Sequence, residues 1–439
     1  MRVLIYSYNY YPEPIGIAPL MTELAEGLVK RGHEVRVVTA MPNYPERKIY
    51  PGYRGQLYKR EFRNGVQIDR CFVAIRPQPG LVARALLEGS FAMLSFMKAI
   101  SGWRPDVILS TSPSLPACVP VAMTRLFHRC PVVLSLQDIL PEAAVQTGLI
   151  SNKLAIRVFE QLEKFAYASA DKISVITPSF TENLLSKQVP ADKMKCISNW
   201  VDVGFVQPKP KHESAFLKAH GLEDKFVVLY SGNIARTQGV RTILRSAAQL
   251  QEETDIQFVI VGESRQLAEL RVLKAELGID NVLLLPFVPR AELPDMLAAA
   301  DVSLIMQKRK VVGFNMPSKT QVIMASGRAV IASVPVEGAA AQAVRESSSG
   351  LVVEPESPTH LTKAILTLYN DPEATKPLGE NGRQYANDNY SFTQALNAYE
   401  ALLKSVVPER KRYSLPQTTP NVVALAKDLA APDFEKIGQ

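Results

Sequence analysis

The 439-residue sequence holds only four cysteines, Cys71, Cys118, Cys130 and Cys196. None forms a CxxC pair, and no histidine lies at a metal-ligand offset from any of them. That argues against a disulfide framework and a zinc site, and scattered thiols fit a reducing compartment. No stretch reaches the ~18 uninterrupted apolar residues that read as a membrane span. The opening MRVLIYSYNYYPEP has too short an apolar run for a signal-peptide core. The expectation is a protein made and kept in the cytoplasm. GxGxxG is missing, which disfavours a nicotinamide dehydrogenase. Clustered DxD-like carboxylates are missing too, so no metal and no cofactor are expected.

Charge is present but uneven. The net charge is +7. Residues 1–200 carry 24 basic and 16 acidic side chains, residues 201–439 carry 26 and 27. Within the first half, 41–104 holds 11 basic and 4 acidic residues. This is either a solvated face or a patch that attracts anionic headgroups, polyanions or phosphorylated substrates. The apolar stretch LVARALLEGSFAMLSFMKAISGW (81–103) lies in this region, flanked by Arg84, Lys98 and Arg104. It reads as a core helix or as one lying in a membrane interface. Nucleic acid is not an expected partner.

The apolar pattern alternates between strand and helix. RVLIY is a strand, LMTELAEGLVKRG a helix closed by Gly32, and HEVRVVTA a second strand. DVILSTS, PVVLSLQD, KISVIT and KMKCIS continue as strands, with helices at SLPACVPVAMTRLF and near 179–188. A polar, proline-bearing segment over 201–225 reads as a linker. A second series follows: strands FVVLYSGN, IQFVIVGE, NVLLLPFV, DVSLIM, AVIAS and GLVVEP, separated by amphipathic helices, with helices near 358–369 and 392–405 at its end. The strands are continuously apolar, as in parallel sheets covered on both faces. The predicted class is α/β, with two Rossmann-like doubly wound domains over 1–200 and 226–390 facing across a cleft. A helix spans 391–407, and 408–439 reads as a flexible tail.

In such sheets ligands bind beyond the carboxyl ends of the strands, which selects five groups. Gly16 opens the first helix, where bare amides suit an anion. Asp138, with Gln137, follows a strand and can orient a hydroxyl or handle a proton, or simply cap the next helix. Gly232, Asn233, Arg236 and Gln238 in YSGNIARTQG offer backbone donors, amides and a guanidinium to a diphosphate. Ser318 and Lys319 start a helix with a hydroxyl and an ammonium, or serve as a cap and a solvated charge. Glu337, between a strand and a helix, can bind sugar or ribose hydroxyls, or pair with the helix dipole.

These residues, in this order, carry a resemblance. YYPEPIGI…LAEGLVKRGHEVRVVTAMPNYP, SGN…QG, VIVGE, LPFVPRAELPDMLAAADVSLI and PSK…MASGRAVIAS resemble the retaining glycosyltransferases of family 4 with GT-B architecture. Within them, the likeness is to colanic acid-type exopolysaccharide enzymes. It covers roughly residues 1–405. The resemblance implies an acceptor-binding first domain, a nucleotide-sugar-binding second domain, and a last helix that returns to the first. It places the base near Gly262, Phe287 and Val288, and the diphosphate between the Gly16 loop and the second domain's basic groups. The chain departs from the common pattern in three places. Asn233 and Gln238 stand where many members carry Arg and Lys. Phe314 and Val322 stand where many carry paired glutamates. Gln137 and Asp138 stand where many carry a histidine.

The implied reaction moves a sugar from a nucleotide donor to a polyprenyl-diphosphate-linked or other glycan acceptor, beside an anionic membrane surface. Donors aimed at the leaving diphosphate would come from Gly16, Arg236, Gln238, Ser318 and Lys319. A nucleotide-sugar epimerase or a phosphorylase on the same scaffold is the alternative enzyme reading. A non-catalytic sugar-nucleotide-binding partner of an assembly complex is the alternative of another class.

Overall fold

The structure is a computed structural model that describes residues 1–14, 16–44, 46–76, 80–112, 114–140, 142, 152–234, 237–311 and 316–408. The tail expected at 408–439 lies outside these from 409 onward.

The first apolar runs build a sheet around β1 (Arg2–Tyr6). Helix α1 (Ile17–Lys30) leads back to β2 (Glu34–Ala40), which lies parallel to β1. Beyond β2 come β4 (Val66–Cys71), parallel, and β3 (Tyr58–Arg63), its antiparallel hairpin partner. Their two-residue turn is Asn64–Gly65, both at positive φ, as a tight hairpin turn requires. The long α2 (Leu81–Ile100) crosses to β5 (Val107–Thr111) on the other side of β1. From there α3 (Cys118–His128), β6 (Val132–Leu136), α4 (Lys153–Ser169), β7 (Lys172–Val175), α5 (Pro178–Ser186) and β8 (Met194–Cys196) extend the sheet. The strand order is β3-β4-β2-β1-β5-β6-β7-β8.

Right-handed crossovers put leftward and rightward connections on opposite faces. One core therefore packs α2 to α5 against Leu4, Tyr6, Ile108 and Leu134. The other packs α1 against the alternate residues Val3, Ile5 and Val107.

The second sheet has the order β11-β10-β9-β12-β13-β14, all parallel. Its strands are β9 (Phe226–Ser231), β10 (Ile256–Gly262), β11 (Val282–Pro286), β12 (Val302–Met306), β13 (Ala329–Ser333) and β14 (Gly350–Val353). The short α6 (Ala215–Ala219), capped by Ser214, precedes them. Phe216, Leu217 and Leu222 are buried in the second core, so this part of the expected linker is packed rather than free. Between the strands lie α7 (Arg241–Gln249), α8 (Ser264–Leu277), α9 (Leu293–Ala298), α10 (Lys319–Ala325) and α11 (Ala339–Ser347), followed by α12 (Pro358–Asn370) and α13 (Pro372–Asn389).

The last helix, α14 (Phe392–Val406), joins the first domain. Its Ala395, Leu396, Tyr399 and Leu403 enter the core that α1 covers. Tyr399 Oη lies 2.9 Å from Ser135 Oγ and 3.4 Å from Ser174 Oγ, beneath the first sheet. Glu400 takes Arg31 at 2.5 Å and His33 at 3.0 Å.

Candidate functional site

In each sheet the strand order reverses beside a central strand, between β1 and β5 and between β9 and β12. The crevice at the carboxyl ends of such a pair is where an open α/β sheet takes a ligand.

In the second domain that crevice holds Gly232, Gln307 and Lys319. Gly232 follows β9 at φ 136°, and a Cβ there would stand 3.2 Å from Lys319 Cε and Nζ. The Lys319 ammonium lies 3.8 Å from the centre of the Tyr230 ring. It is buried and has no hydrogen-bond partner among the described residues. Burial draws it down from 10.5 to about 7. Thirteen buried side-chain atoms lack partners among the described residues. Five of them belong to segments of this crevice: Gln238, Gln307, Lys319, Thr320 and Gln321. Native proteins leave few buried polar groups unpaired. A concentration of them at a switch point makes it a candidate place for a polar, anionic ligand to complete the hydrogen bonding.

The loops here are tied together. Lys308 N–H donates to Thr237 O at 2.8 Å, joining the segment after β12 to the segment after β9. Tyr230 Oη donates to the Asn233 carbonyl at 2.8 Å. Gly262 ends β10, and a Cβ on it would stand 2.5 Å from Ile234 Cδ1, so the glycine lets the β9 loop close over it. Phe287, just past β11, is 53% exposed, while Val288 packs onto the second core. Gln238 is buried. Ser318 is exposed, sits in helical geometry and makes no cap hydrogen bond, so the capping alternative for it is not realised. Glu337 is exposed two residues before α11. Arg236 and Phe314 lie outside the described residues.

In the first domain the switch point lies between the loops after β1 and β5, with the loop after β6 next to them. Gly16 has φ 71° and precedes α1 with no side-chain cap and nothing within 4 Å of where a Cβ would be. The first amides of α1 are thus approachable by an anion. The loop is braced by Glu13, which the sequence reading passed over. Its carboxylate accepts Asn43 N–H and Tyr44 N–H at 2.8 Å each and Asn9 Nδ2 at 2.7 Å. Asp138 follows β6, and Ser112 Oγ donates to its carbonyl at 3.4 Å. Burial raises the Asp138 carboxyl from 3.8 to about 6. Gln137 is engaged elsewhere, donating to Ser135 Oγ at 3.1 Å and accepting from Asn199 at 2.9 Å.

Glu88 on α2 is a second carboxylate at this edge that sequence reasoning missed. Ser114 Oγ donates to it at 2.5 Å, and burial raises its carboxyl. A single carboxylate inside the apolar run LLEGSF was the available signal.

Two features connect the halves. Val311, beyond β12, is buried in the first domain's core. A cavity of ≈ 350 Å³ is lined by Thr177 and Ser198 on one side and by Gln342, Glu346 and Tyr385 on the other. Among the described residues no group of three or more His, Cys, Asp or Glu could hold a metal ion, and no helix is long and apolar enough to cross a membrane.

The basic segment 41–104 is less free than its charge count implied. Arg60 pairs with Asp69, Arg63 with Glu26, and Arg70 and Lys59 with Glu61.

Comparison with known proteins agrees with this geometry. Residues 16–200 match the glycosyl transferase 4-like domain, and residues 213–385 match glycosyl transferases group 1. The chain is 31% identical over 373 residues to WcaI of Escherichia coli (strain K12), named as a colanic acid biosynthesis glycosyl transferase; the match covers 83% of this chain and 91% of WcaI. It is 27% identical to the glycosyltransferase WbjE of Pseudomonas aeruginosa, covering 78% and 86%. Among solved structures, sucrose-phosphate synthase of Thermosynechococcus elongatus superposes with a TM-score of 0.72 at 17% identity, over 92% of this chain and 98% of that one. HepE of Anabaena in complex with UDP-glucose gives 0.68 at 19% identity, over 92% and 100%.

Proposed function

The chain belongs to the GT-B glycosyltransferases, a group 1 domain following a 4-like domain, and from that premise we propose that it transfers a sugar, with retention, from a nucleotide-sugar to a lipid-linked oligosaccharide in exopolysaccharide or capsule assembly. The observation that carries the donor side is the unpaired, buried ammonium of Lys319 against Gly232. The colanic acid name of WcaI and the UDP-glucose bound by HepE support the acceptor class and the donor class.

In this reading positive charge grows on the sugar while negative charge grows on the departing diphosphate. Lys319 Nζ meets that negative charge, helped by Gln238, Ser318, Arg236 and, from the first domain, the amides at Gly16. Lys319 takes the part that other family members give to the positions of Asn233 and Gln238. The base lies beside Gly262, Phe287 and Val288, and Asn233 and Glu337 serve sugar or ribose hydroxyls. Asp138 orients the acceptor, whose proton passes to the departing phosphate on the same face. The cationic side chains do the electrostatic work, so the reaction needs no metal.

Thermal denaturation with UDP-, GDP- and dTDP-sugars tests the reading, because a ligand bound only by the folded state raises Tm. One nucleotide class is expected to raise it, and to raise it less in Lys319→Met. If no sugar nucleotide does so, the reading fails. Sugar isomerised without acceptor, or turnover stimulated by free phosphate, replaces it with an epimerase or a phosphorylase.

A further inference from the structure

The outer face of α2, α3 and α4 is the wrong polarity for a water-facing surface. A helix on the outside of a domain normally carries polar residues along its exposed stripe. On α2 that stripe bears Leu86, Met93 and Met97, Met93 being 65% exposed. On α3 it bears Val119, Met123, Leu126 and Phe127, Leu126 being 75% exposed. On α4 it bears Leu154, Val158 and Phe165. Each set follows the three-, four- or seven-residue spacing of one helix face. Ten of the eighteen exposed large apolar side chains among the described residues fall on these three helices. The helices are neighbours, α2 along α3 and α3 along α4, and the Arg84 guanidinium of α2 reaches the Phe159 ring of α4 at 5.9 Å. The stripes therefore lie side by side as one apolar field, the kind that marks an interaction surface.

The polar groups on this field select the partner. Arg84, Arg129, Lys153, Arg157 and Lys164 are exposed on these helices and at their ends, against one exposed carboxylate, Glu160. Apolar side chains set among cations match an anionic bilayer surface, where the chains enter the interface and the cations meet phosphates. The helices follow β4, β5 and β6, so their amino ends lie at the carboxyl edge of the first sheet, on the rim of the cleft.

We propose that the α2–α3–α4 face docks the protein on an anionic membrane surface, holding the cleft rim where a membrane-borne acceptor can enter. This rests on the reading of a lipid-linked acceptor; it keeps the apolar stretch 81–103, now α2, in the membrane contact, adds α3 and α4, and leaves out the ion-paired hairpin of β3 and β4.

Flotation of the full chain tests it, using phosphatidylglycerol-containing vesicles beside pure phosphatidylcholine vesicles at low and high salt. Wild type is expected to float with the anionic vesicles, less so at high salt. Two variants are compared: Met123→Glu with Leu126→Glu and Phe127→Glu, and Arg157→Glu with Lys164→Glu. Each is expected to lose vesicle binding by about tenfold or more, with the sugar-nucleotide Tm shift unchanged. No flotation of wild type, or equal flotation of both variants, overturns the proposal. So does light scattering that shows a wild-type dimer and monomeric variants, because the face would then join two copies. A missing sugar-nucleotide shift with intact flotation would fault the donor reading and leave the docking face standing.

Discussion

Lys319→Met separates a binding role from a structural one. The ammonium is held in the fold at about 7 instead of 10.5. At 1.36 kcal/mol per pH unit this gap corresponds to about 4 kcal/mol of lost stability at pH 7. The sign follows from linkage. The unfolded chain binds this proton up to 10.5 and the folded chain releases it near 7, so wild-type stability rises with pH across that window. Methionine keeps the length and the contact with the Tyr230 ring and has no proton to lose. The variant is expected to be more stable at pH 7, with a Tm increase on the order of 5 °C after partial relaxation. It is also expected to lose donor affinity by about tenfold to a hundredfold, as removal of a charge-assisted hydrogen bond implies. A third readout is pH itself. A bound diphosphate favours the protonated amine, so wild-type donor affinity should fall as pH rises above about 7, and the variant should lack that slope. Denaturation scans at several pH values, with and without the sugar nucleotide that stabilises wild type, give all three. A variant less stable than wild type that keeps its donor-induced shift would refute the reasoning, because Lys319 would then be a structural side chain.

Three further expectations come from other parts of the molecule. Burial raises the Asp138 carboxyl to about 6, so if its ionised form orients the acceptor, kcat/KM should rise through pH 6; Asp138→Asn should remove that rise and lower the rate about a hundredfold or more. Against the opposing effect of burial, hydrogen bonds from Lys404, Arg31 and His33 bring the Glu400 carboxyl down to about 2. Its contribution is present above the unfolded value of 4.5 and is lost as pH falls toward 2, so Glu400→Gln should flatten the acid limb of the Tm profile and loosen α14 from α1. A Cβ at Gly379 would stand 2.1 Å from the Gly327 carbonyl oxygen. Gly379→Ala should therefore destabilise by about 3 kcal/mol, read in denaturant unfolding, because neither backbone can yield cheaply.

That last residue shows where the sequence misled. The expected helices near 358–369 and 392–405 left the stretch between them unassigned, yet Pro377, Gly379 and Gly382 lie inside α13. The two glycines are there because α13 crosses close to the end of α10 and to Ser349. That requirement comes from packing and leaves no local pattern. The β3–β4 hairpin was missed although Asn64–Gly65 between extended residues is a strong turn signal, because it interrupts the strand–helix alternation on which the expectation rested. The buried parallel strands came through because continuous apolar runs need both faces covered, whatever their neighbours.

Site chemistry was legible only in part, and Lys319 shows why. Sequence placed it at a helix start after a strand, with two readings open: a solvated charge or a phosphate ligand. What separates them is the surroundings: the Tyr230 ring, the Gly232 backbone, and the unpaired Gln307 and Gln238 brought from other strands. A solvated lysine needs none of these, and a lysine that served only the fold would be expected to have a hydrogen-bond partner besides the Tyr230 ring. Glu88 escaped notice for the same reason. Its meaning comes from Ser114, which lies 26 residues away on another loop. The departures at Asn233 and Gln238 point the same way. A diphosphate site needs positive charge at a place in space, and in the function proposed here Lys319 at the start of α10 supplies part of it. A glutamine-for-lysine exchange that looks like a loss in sequence can thus be a relocation, and the weakened donor binding expected of Lys319→Met is its test.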